Sequence, residues 1–238
     1  MGERAQVAGF NREFSRAVIF ANGTYGAGDY DGFYGFYRGL LAPGDFIICA
    51  DGGSGVVGRL DLIPHVMIGD FDSTKPEVLE SWRKKGVMIL TYPREKDKTD
   101  TELAVDYALD LGINRIILLG ALGGRIDHTL ANIALLTSLA MRRVDGAIID
   151  EHSEIRVIAP DHGEPDTLTF QGNPGDLLSL IPITPLVKGV TTNGLAYSLR
   201  DAVLSFGSSL GISNVFCSQS ATIRAASGLM LAIAYHLR

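Results

Sequence analysis

The chain has 238 residues and a formal charge of −6, so it lacks the basic surplus that nucleic-acid binding demands. Its 46% hydrophobic and 20% charged residues are the balance of a folded globular protein, which excludes wholesale disorder. The longest apolar runs, such as IALLTSLAM (133–141) and GLMLAIAY (228–235), are too short to cross a bilayer.

The N-terminal stretch MGERAQVAGF shows neither the basic-then-apolar pattern of a signal peptide nor the hydroxyl at position 6 that a myristoylation signal wants. A soluble, cytoplasmic protein with no membrane or nucleic-acid partner is expected. Cys49 and Cys217 have no metal-ligand spacing and read as buried small residues in a reducing compartment.

From residue 17 the chain alternates strands and helices. AVIFANG (17–23), FIICADGG (46–53), HVMIGD (65–70), VMILTYP (87–93), RIILLGALGG (115–124) and GAIID (146–150) are continuous apolar runs of strand length. Such runs suit parallel strands covered on both faces. Between them, one helix is expected from near Thr74, with Glu77 completing a capping box, to Gly86. A second starts at Thr99 with Glu102 in the same relation, and a third spans about 127–142. The pattern predicts an α/β fold: an open, mostly parallel sheet with helices on both faces.

Beyond about residue 150 the rhythm changes to short β-branched pieces punctuated by NPG, PITP and TNG, with at most one helix, over 196–205. This predicts a C-terminal all-β sandwich. Two domains follow, 1–150 and 151–238.

In an open α/β sheet, ligands gather beyond the carboxyl ends of the strands, and chemistry-bearing residues fall there four times. CADGG places Asp51, Gly52 and Gly53 after the second strand, and GDFDS places Asp70 and Asp72 after the third. The loop YPREKDKTD brings Asp97, Lys98, Thr99 and Asp100 after the fourth, and ALGGRIDH brings Gly123, Gly124, Arg125, Asp127 and His128 after the fifth.

Asp70 and Asp72 could be two solvated acids in a turn, or they could face one Mg²⁺, an ion that prefers carboxylates together with substrate phosphates. Asp100, at a helix start, could aim at the same ion while the helix N-terminus favours phosphate oxygens. The glycine pairs would let backbone N–H groups approach phosphates. Lys98 and Arg125 would supply a mobile cation and a bidentate fork. Taken alone, Asp127 reads first as a helix cap and His128 as its first-turn neighbour. The shared edge favours one site over several coincidences.

CADGG, GDFDS, KDKTDTELA (from Lys96) and GGRIDHTLANI, in this order, resemble the thiamine pyrophosphokinase family, as do VTTNGLAYSL (190–199) and LSFGSSLGISN (204–214) in the second half. The resemblance implies Mg²⁺-dependent transfer of diphosphate from ATP to thiamine, giving thiamine diphosphate and AMP, by a homodimer with its substrate site at the subunit interface. It implies that Asp70, Asp72 and Asp100 hold the metal, and that Asp51, Lys98, Thr99, Arg125 and Asp127 contact the nucleotide. Ser213 and Asn214 would reach thiamine, and Asp97 or Asp100 would orient its hydroxyl. The chain departs from the family's pattern after the Ser213–Asn214 pair, where Val215 and Phe216 replace a polar residue, and its only Trp is Trp82. A stacking face could come from Phe216 or Tyr235, although both read first as core.

Diphosphate transfer to another heterocyclic alcohol such as a hydroxymethyl-pterin, metal-dependent phosphate hydrolysis, and a nucleotide-sensing module without turnover are the competing readings.

Overall fold

The structure is a computed structural model that describes residues 14–26, 31–72, 74–161 and 163–237. The N-terminal stretch and Ser73 of the GDFDS motif lie outside the described residues. The chain divides into two compact units, Met1–Leu135 and Leu136–Arg238.

In the first unit the strands β1 (Arg16–Phe20), β2 (Asp45–Ala50), β3 (Val66–Gly69), β4 (Met88–Thr91) and β5 (Arg115–Leu119) pair in the order β5-β1-β2-β3-β4. Every one of these pairings is parallel. All of β2 and β3 is buried, as is β1 beyond Arg16 and β5 beyond Arg115, whereas β4 is only partly covered. Continuous apolar runs are thus the mark of strands with no solvent face. Arg16 ties β1 to the start of β2: its Nε donates to Asp45 Oδ1 at 2.8 Å, and Asp45 is buried.

The helices are α1 (Asp31–Leu40), α2 (Ser54–Arg59), α3 (Pro76–Lys84), α4 (Asp100–Asp110) and α5 (Ile126–Met141). The last three match expectation. At α4 the cap forms as read, with Thr99 Oγ1 accepting the Glu102 N–H at 3.1 Å. At α3 it does not: Lys75 is the N-cap, with no side-chain cap bond, because Pro76 takes the first helical position. Trp82 on α3 is buried, with Lys85 Nζ 4.5 Å from its ring centroid.

The second unit is a two-layer β-structure. The sequence rhythm changes near residue 150, where β6 (Asp145–Ile149) ends, but the two compact units meet inside α5. One layer runs β12-β9-β14-β7-β6 and is antiparallel throughout. Its other members are β7 (Ser153–Ile158), β9 (Leu177–Pro182), β12 (Asn214–Val215) and β14 (Met230–Tyr235). The other layer, β11-β10-β13-β8, joins β8 (Asp166–Gln171), β10 (Leu186–Asn193), β11 (Ala202–Ser205) and β13 (Ser220–Ala225). Phe170, Val187, Leu204 and Ile223 of this layer share one core with Ile158, Leu178, Leu180 and Met230 of the first. The expected sandwich is present.

The helix expected over 196–205 is absent. Thr192 Oγ1 accepts the Leu199 N–H at 2.9 Å and Thr191 Oγ1 accepts the Asp201 N–H at 3.2 Å, so side chains capture the amides that a helix would use. The segment then becomes β11.

Both cysteines are free; Cys49 is buried as expected, whereas Cys217 is exposed. Among the described residues no helix is long and apolar enough to cross a membrane.

Asp176, 3% exposed, ties the sandwich's last strand to the turn before β9. Its carboxylate accepts N–H groups from Asn173 at 2.8 Å and Leu237 at 2.9 Å, and lies 3.1 Å from His236 Nδ1. These bonds, the Asn173 N–H foremost, hold its pKa below the usual carboxylate value. The folded state therefore binds this proton less readily than the unfolded chain, and the stabilisation is full above about pH 4 and fades as pH falls through the lowered pKa. Asp176→Ala is expected to cost about 2–3 kcal/mol at pH 7. Urea unfolding at several pH values checks this, since the difference from wild type must shrink in acid.

Candidate active site

The strand order makes β1 and β5 neighbours whose connections leave in opposite directions, from β1 toward β2 and from β5 away from it. A crevice beyond the carboxyl ends of such a pair is where open α/β sheets bind ligands. Here the loops continue past the strands: Gly23 N–H donates to Gly120 O at 2.7 Å and Thr24 N–H to Leu122 O at 2.8 Å. The Tyr25 hydroxyl lies 2.8 Å from Ala21 O and 3.1 Å from Leu119 O, sharing its one proton between the ends of β1 and β5. A cavity of about 320 Å³ opens at this point. Asn22 and Asp51 line it from the ends of β1 and β2, Thr99 and Asp100 from the start of α4, and Gly123 to Arg125 with His128 and Asn132 from the β5–α5 loop and α5.

The acidic residues are crowded around Asp51. Gly69 packs so closely on the preceding strand end that a Cβ there would stand 3.2 Å from the Asp51 Cα. Asp51 itself sits at φ 47° and accepts a hydrogen bond from Asn22 Nδ2 at 2.9 Å. Its pKa is raised, first by burial and then by the charges of Asp100 and Asp70, with hydrogen bonds from Gly52 and Asn22 opposing. Asp51, Asp70 and Asp100 thus share one electrostatic neighbourhood.

Phe71 has φ 54° and is buried, so the D-x-D loop turns its aromatic inward and leaves both carboxylates outside. Asp70 Oδ1 accepts the Asp72 N–H at 3.2 Å, and the exposed Asp72 lies 3.6 Å from Arg94. Among the described residues, no three His, Cys, Asp or Glu side chains converge tightly enough to hold a metal ion as they stand. The donors are nonetheless all carboxylate oxygens, and Asp51 feels the charges of Asp100 and Asp70, which suits a hard divalent cation.

Three cations take partners of their own. Lys98 Nζ is 2.5 Å from Asp106 and 3.6 Å from Glu102 on the outer face of α4. Arg125 grips Asp127 with two bonds, Nε to Oδ1 at 3.1 Å and a terminal nitrogen to Oδ2 at 2.6 Å. That bond raises the Arg125 pKa and lowers that of Asp127. Lys96 Nζ is 2.8 Å from Asp100 Oδ1. Asp97 is exposed on the same loop.

Gly123 and Gly124 have φ 77° and 66°, consecutive left-handed conformations that carry the chain from the cavity into α5. Gly53 is required by packing, because a Cβ there would lie 2.0 Å from Phe20 O. Gly52 is likewise pressed against Asn22, 2.2 Å from its Oδ1 by the same construction.

In the second unit Ser213 is exposed at φ 56°, with its N–H held by Ser179 Oγ at 3.0 Å. Asn214 is buried and its amide is occupied. Oδ1 accepts N–H groups from Tyr197 at 3.0 Å and Val215 at 2.9 Å, and Nδ2 donates to Tyr197 O at 2.8 Å. Phe216 is core and Tyr235 is partly exposed beside His152.

Of the residues expected in the site, Asp51, Thr99, Asp100, Gly123, Gly124, Arg125 and His128 line the one cavity. Asp70 joins them electrostatically, and Gly52, Gly53, Asp72, Asp97, Lys98 and Asp127 lie outside its lining. Sequence reasoning missed Asn22, which follows the first strand just as Asp51 follows the second; Asn132 also lines the cavity and is buried, with its Nδ2 donating to Ala121 O at 2.8 Å.

Comparison with known proteins agrees with both units. The profile of the thiamin pyrophosphokinase catalytic domain matches residues 37–147, and that of the vitamin B1 binding domain of thiamin pyrophosphokinase matches residues 167–230. Thiamine pyrophosphokinase of Bacillus subtilis is 33% identical over 181 residues, covering 75% of this chain and 83% of its own. Thiamine pyrophosphokinase 1 of rice (Oryza sativa subsp. japonica) is 28% identical over 207 residues, 78% of this chain and 77% of its own. The thiamin pyrophosphokinase structure from Geobacillus thermodenitrificans superposes with a TM-score of 0.76 at 27% identity, covering 92% of this chain and 97% of that one. The two-unit fold, the cavity at the switch point and these matches over both halves together place the chain in the thiamin pyrophosphokinase family.

Proposed function

We propose that the chain transfers the β,γ-diphosphate of ATP to the hydroxyethyl oxygen of thiamine, giving thiamine diphosphate and AMP, with Mg²⁺ required. The observation that carries this reading is the cavity at the β1–β5 switch point, where carboxylates crowd beside a left-handed glycine pair that leads into α5. Asp70, Asp72 and Asp100 would hold the metal, with Asp51 alongside them. When bound, the ion would neutralise phosphate charge and stabilise the AMP that leaves.

The chain's own residues account for the rest. Gly123 and Gly124 bring the backbone close to the phosphates, and Asn22, Thr99 and His128 present polar groups around the nucleotide. Arg125 and Lys98 are exposed and long, so both can leave their carboxylate partners for phosphate oxygens as negative charge builds on the leaving phosphate. Asp97, exposed and clear of the cation pairs, is assigned to hold the acceptor hydroxyl and take its proton, since Asp100 is given to the metal. The acceptor oxygen bonds to the β-phosphorus as the bond from that phosphorus to the α–β bridge oxygen breaks.

Ser213 is the acceptor-facing candidate in the second unit. Asn214 holds Tyr197 in place and acts on the acceptor only through that loop. The acceptor site is proposed to be completed in a homodimer, for which the exposed Phe206, Leu210 and Ile212 offer apolar surface. A cytoplasmic location accords with this reading.

The test is acceptor-dependent AMP release. Thiamine with Mg²⁺ is expected to give AMP and thiamine diphosphate in equal amounts, with none formed on chelation. AMP with a hydroxymethyl-pterin but not thiamine would move the activity to another acceptor, and no AMP with either would leave a nucleotide-binding module.

A further inference from the structure

The cation–carboxylate pairs at the strand ends differ in how far they are withdrawn from water. Arg94–Asp72 and Arg125–Asp127 are largely solvated, and Lys98 reaches outward along α4 to Asp106 and Glu102. Exposed pairs of that kind are weak and readily exchanged. Lys96 with Asp100 is different: the two side chains are only 14% and 21% exposed, and Nζ stands 2.8 Å from Oδ1. Withdrawing an ammonium this far from water is tolerable only against a counter-charge. Asp100 in turn lines the cavity and raises the pKa of Asp51, as does Asp70.

We infer that Lys96 is the resident counter-ion of this acidic edge, occupying Asp100 until a divalent cation displaces it. The inference rests on the reading above in one respect, that Asp100 is a metal ligand. Lys96 is then a positioning residue. It neutralises Asp100 in the metal-free protein and sets the affinity for the ion by competing with it. Its flexible stem, four residues before Asp100 at the start of α4, lets the ammonium leave without unwinding the helix. Once displaced, it becomes one more cation available to the incoming phosphates.

The test uses the full chain, Mn²⁺ alone as the probe, and no nucleotide. Lys96→Met is expected to bind Mn²⁺ about tenfold more tightly than wild type by electron paramagnetic resonance titration, equivalent to about 1.4 kcal/mol. Lys96→Arg, which keeps the charge, is expected to stay within about twofold of wild type by the same scale. Unchanged or weaker Mn²⁺ binding in Lys96→Met, with the circular dichroism of a folded chain, overturns the inference. Should Lys96→Met fail to fold, Lys96→Gln is titrated by the same criterion.

These outcomes separate the two proposals. Thiamine-dependent AMP release by wild type with unchanged Mn²⁺ affinity in the variant removes the counter-ion role alone. Tighter Mn²⁺ binding in a protein that releases no AMP removes the reaction and leaves the counter-ion role standing.

Discussion

Asp70→Asn is expected to lower thiamine-dependent AMP release by about 10²–10³-fold, the usual scale for losing one charge-stabilising group, while the protein melts no earlier than wild type. The physical reason is that the substitution separates structure from charge. Asparagine keeps an oxygen to accept the Asp72 N–H, so the turn after β3 survives. What disappears is one negative charge from the group that already pushes the Asp51 pKa upward. The metal-free protein is relieved of repulsion, and a divalent cation loses a ligand. Activity and stability therefore move in opposite directions, which a general packing defect cannot produce. A steady-state AMP assay and a thermal melt on the same preparation decide the matter. Near-normal turnover would remove Asp70 from the metal set.

The parts of this site that could be read from sequence are those whose physical cause is local. Strands buried on both faces announce themselves as unbroken apolar runs, and the residues that end them, Asp51, Asp70 and Gly123, are legible because parallel sheets collect ligands at that edge. The Thr99–Glu102 cap is legible for the same reason, being complete within four residues.

Elsewhere, tertiary context overrides the local signal. The first helix, DGFYGFYRGL, carries three glycines and four aromatics, so its residues have little intrinsic helix preference and its helical state depends on tertiary packing. Gly53 reads from sequence as a phosphate contact, and only the fold shows that the Phe20 carbonyl also leaves no room for a Cβ there. Nothing local to Asn214 shows that its amide closes on the Tyr197 main chain, seventeen residues away. Lys96 opens the KDKTDTELA motif, but nothing in that charge-rich loop marks its pairing with Asp100, because their partial burial together exists only in the folded state.

The same distinction separates a stacking residue from a core residue in the second unit, where Phe216→Ala is expected to cost about 3–5 kcal/mol of stability. The ring is 1% exposed and belongs to the core shared by the two β-layers. A Cβ on Gly172 would come within 2.9 Å of it, so the surrounding chain is shaped to the ring. Its own backbone is locked as well, with its N–H donating to Asp176 O at 2.8 Å and a bridge to Leu195. An aromatic enclosed in this way cannot present a face to a heteroaromatic substrate without opening the sandwich. Denaturant unfolding should therefore register the loss, and the folded fraction should retain a thiamine KM within about twofold of wild type, less than the roughly 1.4 kcal/mol that a tenfold change represents. A tenfold rise in thiamine KM with unchanged stability would show the reverse, that the ring leaves the core to meet the acceptor.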